Sequence, residues 1–384
     1  MSLMFITISC LVPLVILELL TTRNKRSNKL IYNIAFFVVF FIVSIKYYYG
    51  PDTALYLFIY NDIENTFSLD IDQYIEPGFS LFCLLLKKLG VSYWGMTFVV
   101  TILYFTAIRI LFSSLTKYRT LALTLLVTFE YNLMFFELRQ SLAVTFFIFA
   151  FLCAKKNKDI PMILALILTS FLHKSGIFFS FILFMVVYCK NVKIEPHLYL
   201  IPIALLFIIQ LIPLTQSLSV LNLPTNMVRS IEHHLLLGKN MQFVLPIYLL
   251  MFIILLTNKR ECADDNKWMG LFIFISALFI AVFYKYWFLL NRLRSYFMPM
   301  LIVYIFNILA EERCSKILRQ IFITLLFLHT IKISLSLYLT ENKSISKVNR
   351  VQTIFILKDK TEDEVSKESI KKAKFFWENE YMSQ

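Results

Sequence analysis

Glu137, Leu138 and Arg139 stand between two strongly apolar runs, RTLALTLLVTFEYNLMFF and SLAVTFFIFAFLCA. An arginine at a membrane helix end or inside a bundle is costly, so it marks a functional position by default. Arg139 also opens a helical run, where its charge opposes the helix dipole, so a binding role fits it better than a structural one. Gln140 lies beside it. Other charges fall at comparable junctions: Asp52, Glu76, His173 with Lys174, and Arg292 with Arg294. Guanidinium groups gathered near a membrane face suit phosphate or diphosphate, which arginine grips in a bidentate fork. A nearby carboxylate or imidazole can accept a proton from a sugar hydroxyl, and Tyr or Trp rings suit sugar stacking. This set points to glycosyl transfer from a lipid diphosphate donor at one membrane face.

Each of these residues also has a plainer reading. Asp52 follows the turn signal Gly50-Pro51 and could simply cap the next helix, and Glu76 before Pro77-Gly78 could do the same. His173 could be a packed, hydrogen-bonded histidine. Arg292 and Arg294, at i and i+2, point to different helix faces, so one is expected to face the site and the other the headgroups. Asp62, Glu64, Asp70 and Asp72 read as a solvated loop surface. Glu18 and Arg109 lie near the inner ends of their helices, where long side chains can snorkel. Glu130 and Lys332 also fall in or near apolar runs.

No metal site is expected. His233-His234 has poor spacing for one helix face. The six cysteines form no CxxC pair and no cluster with histidine, and they read as small apolar side chains. No cofactor motif occurs.

The elements that must position these groups are membrane helices. The chain is 59% hydrophobic and only 16% charged, with a mean hydropathy of +0.70. Apolar runs of about 17–20 residues recur from end to end. The expected fold is an all-α polytopic bundle of about twelve helices. They lie near 3–20, 30–46, 94–113, 120–136, 139–154, 160–172, 175–189, 197–213, 241–257, 268–285, 288–310 and 320–339. The pair 160–172 and 175–189 is short and could form a hairpin meeting at His173. The first run reads as a retained helix, since no basic n-region precedes it. Only seven glycines are present, so Phe and Tyr fill the volume between helices.

Lysine and arginine in short loops set the orientation. They concentrate in one alternating set of loops, around Arg23 to Lys29, Lys117 and Arg119, Lys155 to Lys158, Lys190 and Lys193, Lys259 to Lys267, and Arg313 to Arg319. That set is expected to be cytoplasmic. Asp52, Glu76, Arg139, His173, Arg292 and Arg294 then share the outer face. The long outer segments are 47–93 and 214–240, and the first holds a short amphipathic or re-entrant helix starting near Pro77. Residues 1–340 form the transmembrane domain and 341–384 a tail of mixed charge. The net charge of +13 suits anionic lipid headgroups, and no soluble basic domain is present to hold nucleic acid.

The ordered motifs GPDTALY (50–56), EPGF (76–79), ELRQSLA (137–143), FLHKSG (171–176) and RLRSYF (292–297) resemble the EpsG family of Wzy-type polysaccharide polymerases. The likeness covers residues 46 to about 297. That family commonly carries an arginine shortly before its Gly-x-Asp motif, where this chain has Lys46, a point charge without the bidentate fork. The resemblance implies an O-antigen, capsule or exopolysaccharide polymerase in the bacterial cytoplasmic (inner) membrane. It would join undecaprenyl-diphosphate-linked repeat units, donor and acceptor, without a nucleotide sugar or a metal. Arg139 and Arg292 or Arg294 would hold the diphosphate, with Gln140 and Tyr56 also binding diphosphate or sugar. Asp52, Glu76 and His173 would be unranked candidate bases or sugar ligands. A flippase and a chain-length regulator of the same pathway would be partners.

Two other classes remain in view. A transporter or flippase of lipid-linked sugars would place polar residues at mid-membrane and often carries inverted repeats, and no repeat is legible here. An outer-face acyltransferase built around His173 would need acyl-donor access from the cytoplasmic side, where candidate residues are scarce.

Overall fold

The computed structural model describes residues 3–21, 25–46, 52–66, 76–189, 195–211, 245–257, 267–284, 287–310, 317, 320–326 and 328–329. These residues are overwhelmingly helical, as composition requires of a chain that must satisfy its own backbone in lipid. The chain is an integral membrane protein, and its contacts gather into two units, drawn mainly from 1–180 and from 181–329.

The first unit opens with α1 (Leu3–Leu20) and α2 (Lys25–Ser44), which pack as a pair. Two short helices follow, α3 (Thr53–Thr66) and α4 (Pro77–Lys88). At 14 and 12 residues they fall well below the length needed to span a bilayer. Lys87 Nζ donates to the Asn61 carbonyl at 2.6 Å and lies 3.9 Å from Glu64, which fastens α4 to α3. Glu64 is exposed there, as expected of a solvated surface. Tyr60 Oη donates to the Val91 carbonyl at 2.6 Å and ties α3 to the chain entering α5 (Tyr93–Leu115). Ser92 caps α5 by accepting the Gly95 N–H at 3.2 Å.

Next come α6 (Arg119–Phe135), α7 (Leu138–Lys155), α8 (Asp159–Leu172) and α9 (Lys174–Tyr188). The pairs α5–α7 and α7–α8 pack most closely, and α6 lies against α1 and α2. Helix α6 is polar inside: Thr124 and Thr128 hydroxyls bond back to the carbonyls of Thr120 and Thr124. It kinks at Glu130 (φ −110°, ψ 27°), a residue that is fully buried.

Glu18 departs from expectation. It does not snorkel; it is fully buried, and its two carboxylate oxygens accept the N–H groups of Thr120 (2.8 Å) and Leu121 (2.9 Å). A carboxylate from α1 therefore caps the first turn of α6, whose N-cap residue, Tyr118, supplies no side-chain cap.

The second unit contains a 3₁₀ turn (Pro196–Tyr199), α10 (Leu200–Leu211), α11 (Leu245–Thr257), α12 (Lys267–Phe283), α13 (Trp287–Arg294) and α14 (Met298–Ala310). Helix α12 packs on α10 and α14, and α11 on α14. The single helix expected over 288–310 is two helices, broken at Ser295–Phe297. Pro299 explains the break. It has no N–H, and its ring would clash with the carbonyl four residues back, so it is tolerated only in the first turn of a new helix.

Among the described residues, Arg26–Ser44, Tyr93–Leu115 and Leu138–Lys155 are long and apolar enough to cross a bilayer. Shorter apolar helices run over Ile6–Leu20, Asp159–Leu172, Lys174–Tyr188, His197–Ile208, Trp268–Phe283 and Met298–Leu309. The expected spans at 214–240 (outer segment), much of 320–339, the tail 341–384, and Asp70, Asp72, His233, His234 and Lys332 lie outside the described residues.

Candidate functional site

Glu76 sits where α4 begins, with extended backbone (φ −65°, ψ 136°) before Pro77. It holds the N-cap position, yet its carboxylate makes no cap hydrogen bond to α4. It turns instead toward the first turn of α7. Arg139 Nη1 donates to Glu76 Oε2 at 2.7 Å, a short charge-assisted bond between two largely buried groups. The other carboxylate oxygen accepts the backbone N–H of Lys174, the first residue of α9, at 3.3 Å. One carboxylate therefore joins α4, α7 and α9.

Two glycines permit this convergence. A Cβ on Gly78 would stand 2.6 Å from the Phe171 carbonyl oxygen, so only glycine lets α4 approach the end of α8 this closely. A Cβ on Gly176 would lie 2.5 Å from the Thr169 carbonyl oxygen, which holds the start of α9 against α8. Between them, His173 is a single extended residue (φ −156°, ψ 131°) that ends α8 before α9 starts. This confirms the short hairpin expected around it. Its Nδ1 lies 2.6 Å from Ser175 Oγ.

Burial pushes the Glu76 carboxyl up, but the Arg139 guanidinium, His173 and the Lys174 N–H outweigh it and hold the group below the usual carboxylate range. Glu76 is therefore a firmly ionised anchor. Tyr56, on α3, is also buried; Arg139 Nε donates to its hydroxyl at 3.3 Å, and the guanidinium lies 5.5 Å from its ring centre. Burial pushes the Tyr56 phenol up to about 12, so it stays protonated while accepting from arginine. Asp52 and Glu137 both act electrostatically on this phenol, which places both carboxylates in the same neighbourhood. Asp52 stands at the start of α3, its carbonyl accepting the Tyr56 N–H at 3.0 Å.

The sequence reading thus placed Arg139, Glu76, Tyr56, Asp52 and His173 near one another, and the structure brings them together at the joined ends of α3, α4, α7, α8 and α9. Gln140 is buried in the same first turn of α7. Arg292 and Arg294 belong to the second unit. Arg292 is exposed, whereas Arg294 is buried and donates from Nη1 to Tyr248 Oη at 3.3 Å. The two arginines thus differ in burial, one exposed and one buried.

Two residues gain importance from the structure. Glu137, a sequence neighbour of Arg139, acts on Tyr56. Lys46 donates to the Met134 carbonyl at 2.9 Å, lies over the Phe135 ring, and lines a small cavity with Tyr56, Tyr93, Trp94 and Leu138. Burial pushes its amine down to about 7. Its proximity to GPDTALY was the available signal. Its contact with α6, 88 residues later, was not legible.

Among the described residues no group of His, Cys, Asp and Glu is arranged to hold a metal ion. What the site offers is an arginine braced by a carboxylate and a phenol, with an imidazole alongside. Such a set can bind an anionic group and accept a proton from a neutral nucleophile.

None of the curated proteins or solved structures matches the chain. The model of the EpsG family matches residues 29–350, a stretch that contains every motif and every site residue described above, and the chain belongs to the EpsG family.

Proposed function

We propose that this protein is a membrane glycosyltransferase-type polymerase that joins undecaprenyl-diphosphate-linked oligosaccharide units into a surface polysaccharide at the outer face of the bacterial inner membrane. Family membership supports a role in polysaccharide biosynthesis. The observation that carries the finer reading is the Arg139 guanidinium held by Glu76 and Tyr56 next to His173, at helix ends that the loop-charge asymmetry assigns to the outer side.

In this reading Arg139, with Gln140, binds the diphosphate. An acceptor hydroxyl oxygen attacks the anomeric carbon of the donor glycan. The anomeric C–O bond to the diphosphate breaks, and its electron pair leaves with the lipid diphosphate. Arginine stabilises the charge that grows on that leaving group. The hydroxyl proton passes to a base. Glu76 is a poor base because its ion pair keeps it ionised and weakly basic. His173 is our choice for the proton, with Asp52 as a sugar ligand. Tyr56, Tyr93 and Trp94 line one small cavity together with Lys46 and Leu138. Arg292 and Arg294, in the second unit, enter this reading only as anion-binding candidates from the motif RLRSYF.

The test is a glycan gel of a strain whose only copy is R139A. Collapse of the ladder to single lipid-linked repeats supports the proposal. Persistence of long chains removes Arg139 from the mechanism. Loss of all surface glycan, single repeats included, turns the reading to transport of lipid-linked sugar.

A further inference from the structure

At the opposite end of the first unit, Arg109 lies about six residues from the end of α5, roughly 9 Å along the helix. It is exposed, on a face that also bears Phe98 and Ile102, both exposed. Such a face meets lipid, where an arginine is costly without an anion. Its guanidinium is not left to wander. Nη2 donates to Asn33 Oδ1 at 3.5 Å, and the group lies 5.4 Å from the centre of the Phe36 ring on α2. Lys29, Asn33 and Phe36 follow one another at i, i+4 and i+7, so they form a stripe along one face of α2. Lys29 is exposed, one turn nearer the helix start. Below Arg109 the groove between α2 and α5 is floored by aromatic pairs, Phe36–Phe105 at 5.6 Å and Phe40–Phe105 at 5.7 Å. The flanking surface carries exposed Leu30, Ile34, Phe37 and Phe41.

The charge here is unbalanced. Arg109, Arg119 and Glu18 all act on the Tyr32 hydroxyl, so they share one neighbourhood. Glu18 spends both oxygens on α6 backbone N–H groups, and Arg119 bonds the Ser113 and Thr116 carbonyls. We infer that the end of the α2–α5 groove at Arg109, Asn33 and Lys29 is a binding site for the headgroup phosphate of an anionic glycerophospholipid. Its acyl chains lie along the apolar flanks of the groove. The loop charges make this the cytoplasmic leaflet, so the site is separate from the Arg139 cluster and does not rest on the polymerase reading.

The experiment is native mass spectrometry of the purified full chain in detergent, with phosphatidylglycerol or phosphatidylcholine of the same acyl chains added. Wild type is expected to retain phosphatidylglycerol preferentially. R109Q and K29Q are each expected to weaken that retention about fivefold. R109Q must first show the lipid-free melting temperature of wild type; if it does not, K29Q, at an exposed position, decides the matter by itself. Equal retention of the two lipids by wild type, or undiminished preference in the deciding variants, overturns the site. So does displacement of phosphatidylglycerol by inorganic phosphate alone, which would make it a general anion patch.

Discussion

Gly78 and Phe171 meet backbone to backbone: a Cβ at residue 78 would lie 2.6 Å from the Phe171 oxygen and 2.7 Å from its carbonyl carbon. This contact sets the distance between the start of α4 and the end of α8, and hence the reach of Glu76 to Arg139. G78A must push the two helices apart, because the obstacle is backbone and not a movable side-chain tip. Overpacking of this kind costs about 1–3 kcal/mol. The expected result is a lower melting temperature in detergent and a shortened glycan ladder from protein that still reaches the membrane. A wild-type ladder from G78A would show that the site tolerates a looser α4.

The ion pair separates charge from shape. E76Q keeps the size of the side chain but leaves the Arg139 charge without its counterion, and breaking a buried pair from one side costs about 3–5 kcal/mol. Arg139 is not fully buried, so the lower part of that range applies. R139K keeps the charge and loses the fork. Both variants should lose long glycan chains, with E76Q also losing thermal stability. If R139K made full-length chains, bidentate recognition of a diphosphate would not be the role of this residue.

Lys46 should titrate near neutrality. Its amine falls from the ordinary 10.5 to about 7 on burial, so the folded protein holds fewer protons than the unfolded chain between those values. Its neutral form favours folding above pH 10.5, and that stability is lost progressively as pH falls from 10.5 toward 7. K46M should flatten this part of the stability profile, read as melting temperature against pH. Glu76 acts at the acid end. With its pKa below the ordinary carboxylate value, its contribution is present above that value and fades as pH drops through the lowered one. E76Q should therefore remove part of the acid limb and leave the Lys46 region untouched.

Arg294 offers a test within the second unit. Y248F removes one acceptor from a buried guanidinium, at a cost of about 1–3 kcal/mol. R294A removes the cation itself. If Arg294 only supports packing, the two variants should lower stability and glycan length in proportion. If it contacts diphosphate, R294A should abolish long chains while Y248F only thins them. A glycan gel run beside melting curves distinguishes the two.

The sequence was most informative where a signal is local. Apolar runs marked α1, α2 and α5 to α9 because hydropathy over a span needs no partner. Pro77 announced α4, and the cluster of motifs announced the site because each motif lies at a helix end. What escaped was non-local. Glu76 looks like a helix cap from its neighbours, and only the approach of α7, 63 residues later, reveals its other use. Glu18 looks like a snorkelling carboxylate until α6, 102 residues on, presents its N–H groups. The break before α14 was legible in principle from Pro299, but the apolar run over 288–310 outweighed it.

The contact between Glu18 and α6 carries an order of events. As the chain leaves the ribosome, the acceptor enters the bilayer about a hundred residues ahead of the donors it serves. The first helix must therefore wait, still holding a carboxylate, until the sixth arrives to take up its place beside it. A version of the protein begun after Leu20 would insert α6 with two amide hydrogens bare in a setting poor in water. The N-terminal helix is thus an assembly partner for the rest of the bundle rather than only a leading anchor.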